Sequence, residues 1–440
     1  MIDAHGIGGQ ADLPIPLQLA VSGAVAALVL SFTVLVVAWR RPRYAGPDGV
    51  AGGRPAPDLL SRVVLSRGMR IALRVIGFVV FAYTVATAVF GIDELTNPFF
   101  GIVYIWLWVA VPVASVLLGP VWKAISPVRT ITELLSRATG GDPEQGIREY
   151  PEWLGLWPGA IGLYAFVWLE LVFENRDSLA DVRLWFTVYV AVMLVGGAVF
   201  GSRFHERADP FEVYSTLVSR LSPWAVVDGR VVLRSPLANL ATTPPLPGLV
   251  AVIGVMFGST AFDSFSGSIF WLKWVYDAPV HAWVMYNLGL LAFCAAASLL
   301  FALGSSLTPV GPELRRSELP RLLAHSMVPI ISAYIVAHYL TFLVDYGWQT
   351  VARASDPFGK GWDILGTASL TPGYWFSYHP TLLATVKVLA VVAGHVTAAV
   401  LAHDRAIRLL PAKHQINGQL PLLFTMVGFT AGGLYLLFSA

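Results

Sequence analysis

Residues 17–43 read LQLAVSGAVAALVLSFTVLVVAWRRPR. An unbroken apolar run ends in Arg40, Arg41 and Arg43. A bilayer core of about 30 Å takes about 20 apolar residues as a helix. The run has that length, and its basic end marks the cytoplasmic side. The residues before it hold Asp3 and Asp12 but no Lys or Arg. It therefore does not read as a cleaved secretory leader, which wants a basic start and a shorter apolar core.

Further runs follow at 70–91, 98–119, 155–174, 181–203, 246–262, 280–304, 321–345, 380–402 and 419–439. Only helices and closed barrels satisfy the backbone in lipid, and runs this long mean helices. The expected fold class is all-α, a polytopic membrane helix bundle of about ten transmembrane helices. With the N-terminus outside, the inner segments are 40–74, 120–154, 203–245, 305–321 and 403–418, and they hold 23 of the 29 Lys and Arg. The outer segments hold Arg176, Arg183, Lys273, Arg353 and Lys360, and Lys387 lies within a span. That bias predicts an even number of spans with the N-terminus and C-terminus both outside.

The whole 440-residue chain agrees. Hydrophobic residues make up 56% and charged residues 13%, and mean hydropathy is +0.66. So little charge excludes a soluble multidomain enzyme and a disordered chain. A net charge of +2 offers no basic face to nucleic acid. The partners expected are the lipid bilayer and an apolar or small-molecule substrate. Cys294 is the only cysteine, so no intrachain disulfide or thiolate cluster forms, and a metal would need His, carboxylate or Tyr.

The chain reads as a single integral membrane domain, 1–440. Residues 40–69 are Gly- and Pro-rich, a flexible inner linker. Segments 120–150 and 205–222 read as amphipathic helices on the inner surface, with Phe211, Tyr214, Leu217 and Leu221 on one face. WAVVDGRVVL (224–233) places β-branched runs around Asp228-Gly229, a hairpin signal that completes the 205–245 region. The outer segment 346–379 is rich in aromatics, either as interface anchors or as a lid over a cavity. Segment 263–279 reads as a short interfacial helix or a re-entrant turn. Ser126-Pro127-Val128 and Thr308-Pro309-Val310 are a faint internal echo. No GxxxxGK[ST], HExxH or well-placed GxSxG occurs.

Ionisable groups inside spans are costly and normally face protein or a water-filled cavity. Tyr334, His338, Thr341 and Asp345 fall on one helical face, with Pro329 just inward. Glu170 and Glu174, Asp263, His281 and Lys387 sit near the outer ends of other spans. At about 1.5 Å per residue, His338 and Lys387 both lie about 10 Å below the outer surface. An outward-facing polar layer is expected. Three readings of it stay open: a structural seam with an ion pair around Lys387, a proton or ion relay, or a divalent-metal site. The last would use His338, His281, Asp263 and a carboxylate of the fourth span to hold Zn, Mn, Fe or Cu. His325, His395 and His403 read as structural or interfacial. His338 and His395 differ by about 12 Å in depth, which argues against one bridging haem. His5, His205, His379 and His414 read as loop residues.

Five strings carry a resemblance: SPVRT (126–130), TAFDSFSG (260–267), VAHYLTFLVD (336–345), SDPFGKGWDILGT (355–367) and AGHVTAAVLAHDRA (393–406). Together they resemble a group of bacterial multi-pass membrane proteins, frequent in actinobacteria. Some members are labelled membrane-bound fenitrothion (organophosphorus ester) hydrolases. The resemblance implies a bacterial cytoplasmic membrane location and hydrolysis of apolar esters such as phosphotriesters. In that scheme a metal at His338, His281 and Asp263 would generate hydroxide, Glu170 would act as base and Lys387 would stabilise developing charge. The alternatives are a proton- or ion-coupled small-molecule transporter, with the same polar layer as its site, and a structural or assembly subunit of a membrane complex.

Overall fold

The computed structural model describes residues 10–44, 52–371 and 373–439. The protein is an all-α polytopic membrane protein. Its principal helices are α1 (Leu17–Ala38), α2 (Arg67–Phe90), α3 (Pro98–Leu118), α4 (Pro127–Ala138), α5 (Trp157–Leu171), α6 (Leu179–Phe200), α7 (Ser202–Ala208) and α8 (Pro210–Val218). They continue as α9 (Leu249–Ser266), α10 (Ile269–Asp277), α11 (Ala282–Ser306), α12 (Arg316–Arg353), α13 (Pro380–Leu409) and α14 (Leu420–Ser439). Among the described residues, nine helices are long and apolar enough to cross a membrane. The run at 155–174 is the exception. It folds as the 15-residue α5, about 22 Å long, and stops before Glu174.

The chain divides into two compact units rather than the one domain its sequence suggests. Among the described residues, one comprises 52–235, 342–371 and 373–374, the other 10–44, 236–341 and 375–439. Helix α12 passes from one to the other between Thr341 and Phe342.

In the first unit, α3 opens with Asn97, whose side chain accepts from Phe99 N–H at 2.9 Å while its amide donates to the Thr87 and Ile92 carbonyls. Pro98 then starts the helix where a missing N–H costs nothing. The helix widens to π geometry over Ile102–Ala110, as α12 does over Phe342–Tyr346. The expected hairpin is present as β2 (Trp224–Val227) and β3 (Arg230–Leu233). Its turn needs positive φ at both central residues, and Asp228 (48°) and Gly229 (72°) supply it. The linker contributes β1 (Arg54–Pro55), which pairs with β3 in the order β1-β3-β2, and then a helix over Asp58–Val64. Residues 52–69 are thus structured, while 45–51 lie outside the described residues.

Helix α8 departs from the surface amphipathic helix expected at 205–222. It is buried on nearly every side, including Glu212 and Ser215. Those two polar residues find partners far away in sequence: Glu212 pairs with Arg129, and Ser215 bonds to Ser115 and to the Trp122 N–H. With its polar face satisfied, the helix enters the core.

In the second unit the close pairs are α9 with α11 and α12 with α13. In a membrane such contacts rest on fit between surfaces rather than on water exclusion, so small residues mark them. Gly254 and Gly258 form a GxxxG face on α9 that meets Cys294 and Ser298 of α11. A Cβ at Gly258 would lie 2.5 Å from the Cys294 Cα. Gly394 of α13 lies against Pro329 and Ala333 of α12, and Arg405 Nη1 donates to the Leu322 carbonyl. The two helices are therefore antiparallel. Segment 263–279 includes α10, a short helix between α9 and α11 with Trp274 and Tyr276 exposed.

Candidate functional site

Asp263 falls in the last turn of α9, past the end expected for that span. Its carboxylate is met by two adjacent residues of α12. His338 Nε2 lies 2.8 Å from Asp263 Oδ2, and Tyr339 Oη donates to the same oxygen at 3.2 Å. The Tyr339 ring stands edge-on to the imidazole, centroids 4.7 Å apart. On the other side of the ring, Ser264 Oγ lies 3.1 Å from His338 Nδ1 and 3.2 Å from Tyr334 Oη. Ser264 Oγ also reaches the Thr260 carbonyl at 3.2 Å. Tyr334 is wholly buried, and His338 and Ser264 are nearly so. Asp263 is the most open member, with its side chain 11% exposed.

The donors and acceptors balance in two ways. With His338 neutral, Nε2–H donates to Asp263, Nδ1 accepts from the Ser264 hydroxyl, and Ser264 accepts from Tyr334. With His338 doubly protonated, Nδ1–H donates to Ser264 Oγ, and the Ser264 proton turns to the Thr260 carbonyl. Tyr334 donates to Ser264 in both. One rotating hydroxyl thus accommodates either charge state and strands no polar atom of the chain, which is what burial demands.

The other predicted positions fall as follows. Lys387 is wholly buried on α13. Gly394 faces Pro329 and Ala333, so a further seven residues outward, about 10 Å, brings Lys387 level with the 338–341 turn of α12. Thr341 is buried in the same turn, and its Oγ1 has no hydrogen-bond partner among the described residues. His281 does not join the pair as part of a three-ligand set. It is exposed and caps α11, its Nδ1 accepting from the Trp283 N–H at 3.2 Å. Among the described residues, no three His, Cys, Asp or Glu are grouped to hold a metal ion. Glu170, Glu174 and Asp345 belong to the first unit: Glu170 is buried on α5, Glu174 is exposed beyond it, and Asp345 is buried in the π-helical turn of α12.

Sequence reasoning missed Ser264 and Tyr339. Helical periodicity groups residues three or four apart, whereas this site uses neighbours on each of two crossing helices, 263 with 264 and 338 with 339. His403 is placed as a structural residue: Nδ1 meets Gln419 Oε1 at 2.9 Å and Nε2 the Trp39 carbonyl at 3.0 Å. Asp404 beside it accepts from Trp39 Nε1 and the Arg43 N–H.

The first unit has its own buried polar network. Arg129 of α4 grips Glu212 with two hydrogen bonds, at 3.0 and 2.6 Å, and donates to Ser202 Oγ. Asp209 caps α8, accepting from Phe211 N–H, Trp122 Nε1 and Tyr189 Oη. Burial and the neighbouring Glu212 push its carboxyl up to about 7 despite these donors. His205, expected in a loop, is buried on α7 with Nε2 3.2 Å from Thr132 Oγ1. Burial, then Arg129 and Arg74, lower its imidazole to about 3. The network reads as a structural lock, since the Arg129–Glu212 pair is matched and Asp209 is held by three donors.

Comparison with protein-family models, curated proteins and solved structures returns no match.

Proposed function

We propose that this integral membrane protein is a proton-coupled transporter of a small molecule, with Asp263 and His338 as the protonation site. What supports the reading is the Tyr334–Ser264–His338–Asp263 chain, which keeps its hydrogen bonds whether His338 carries one proton or two. A proton taken up from the Asp263 side, the more exposed end, leaves Asp263 ionised and His338 doubly protonated, with Nδ1–H donated to Ser264 Oγ. Lys387 is buried at the same depth on α13, which packs against α12.

The test is proton influx into proteoliposomes under a potassium-diffusion potential, read with an internal pH dye. Asp263→Asn and His338→Gln are expected to reduce influx to the level of protein-free vesicles. Ser264→Ala, which keeps the pair but removes the rotor, is expected to slow it about tenfold, the scale of one lost hydrogen bond. Wild-type influx equal to that of empty vesicles would remove the proposal.

A second reading is favoured by one observation. Ser264, His338 and Asp263 follow the order of nucleophile, base and orienting carboxylate, which agrees with the ester hydrolysis implied by the resemblance. Ser264 is only 4% exposed, so a substrate would reach it only after the helices part. Covalent labelling of Ser264 by a fluorophosphonate would favour this reading over transport. The metal chemistry that the resemblance implies does not fit the ligand grouping, since among the described residues no third His, Cys, Asp or Glu joins His338 and Asp263.

A further inference from the structure

Helices α5 and α6 of the first unit enclose an open trough of about 570 Å³, a volume typical of a ligand site. Its walls are two facing stripes, with Ile161, Ala165 and Trp168 on α5 and Leu184, Val188 and Val192 on α6. The lining runs from Asp181 to Met193 on α6, about 18 Å. That is slightly more than one leaflet's hydrocarbon depth of about 15 Å. Gly162 leaves room for Pro210 to form part of the floor, since a Cβ there would press on that ring. Phe204 of α7 lines the end next to Pro158.

The two ends differ in charge. Asp181 borders one. Beyond the other, on the helix whose Phe204 and Ala208 line the trough, Arg203 and Arg207 of α7 share a single carboxylate, Glu152, at 3.1 and 3.8 Å. Positive charge is left over. Arg203 is more than half exposed, and Arg207 Nη1 is buried with no hydrogen-bond partner among the described residues. Trp153 and Trp157 are exposed beside them, and indole rings favour the headgroup level of a bilayer. Arg203 and Arg207 lie on the side that the charge bias assigns to the cytoplasm, where anionic lipids collect.

We propose that the α5–α6 trough is a site for one acyl chain of an anionic phospholipid, its phosphate held at Arg203 and Arg207. An apolar slot open along its length suits a chain, and the surplus guanidinium charge at one mouth selects an anionic headgroup. Asp181 disfavours the reverse orientation.

The experiment is native mass spectrometry of the full chain released from nanodiscs of equimolar phosphatidylglycerol and phosphatidylcholine. Wild type is expected to retain one phosphatidylglycerol in preference to phosphatidylcholine. Val188→Trp, at an exposed position in the wall, fills the slot and is expected to lose both lipids. Leu184→Trp, one turn away, repeats that test should the first variant be unstable. Arg203→Ala is expected to keep a lipid but lose the preference. Retention by both tryptophan variants equal to wild type would overturn the proposal, as would a wild type that holds the two lipids equally.

Discussion

At the scale of single residues, burial sets the chemistry more than identity does. Ser264 is an ordinary helix serine until His338 and Tyr334 are placed on its oxygen; then its one rotating proton lets the site hold either charge state of the histidine. His205 shows the opposite design. Its Nδ1 is buried with no partner among the described residues, so protonation there strands an N–H. Its folded value of about 3 lies below the ordinary 6.5. As pH falls from 6.5 towards 3 the unfolded chain binds a proton that the folded chain refuses, and stability is lost. Asp209 contributes the reverse slope: its raised value of about 7 makes stability fall as pH rises from 3.8. His205→Gln keeps a partner for Thr132 and removes only the first effect. Thermal midpoints in detergent are expected to fall less steeply on acidification below 6.5 for the variant than for wild type. Parallel pH profiles would show that His205 does not carry the acid sensitivity. Of the candidate site, Asp263, His338 and Tyr334 were legible because charge and imidazole inside apolar runs stand out. Ser264 was not, because a serine in a span is common, and what makes it special is a contact across 74 positions in sequence.

At the scale of helices, apolar runs foretell where a helix lies better than how long it is or what covers it. The run at 155–174 is apolar enough to span, yet α5 ends at Leu171. The polar side of α8 pointed to a surface position and is instead matched inside the unit. The second outcome depends on residues distant in sequence, which periodicity does not register, whereas at the end of α5 Arg176 takes the Glu170 and Leu171 carbonyls. The α9–α11 contact is the converse case, since GVMFG (254–258) is readable as a close-packing motif. Gly258→Val must push the α11 backbone away, at a cost of about 1–3 kcal/mol. Gly428→Ala on α14, where a Cβ meets nothing within 4 Å, is expected to be neutral. Reversible unfolding in mixed micelles separates the two. Equal stabilities would mean that the α9–α11 interface is not held by close approach.

At the scale of the whole molecule, the strongest sequence signal is the distribution of Lys and Arg. It assigns the β2–β3 hairpin to the cytoplasm and the 346–379 segment to the outside. Arg230 and Lys360 are both exposed. In intact cells a membrane-impermeant maleimide is expected to modify Lys360→Cys at once and Arg230→Cys only after permeabilisation. The reverse order would invert the topology. The boundary between the two units, by contrast, is not marked in the apolar pattern, because α12 runs from one to the other without a break. Cys294 settles how cleanly such experiments read. Its thiol is sealed in the seam where α9 and α11 touch backbone to backbone. The native chain therefore arrives chemically silent towards thiol reagents, and each engineered cysteine speaks for its own position alone.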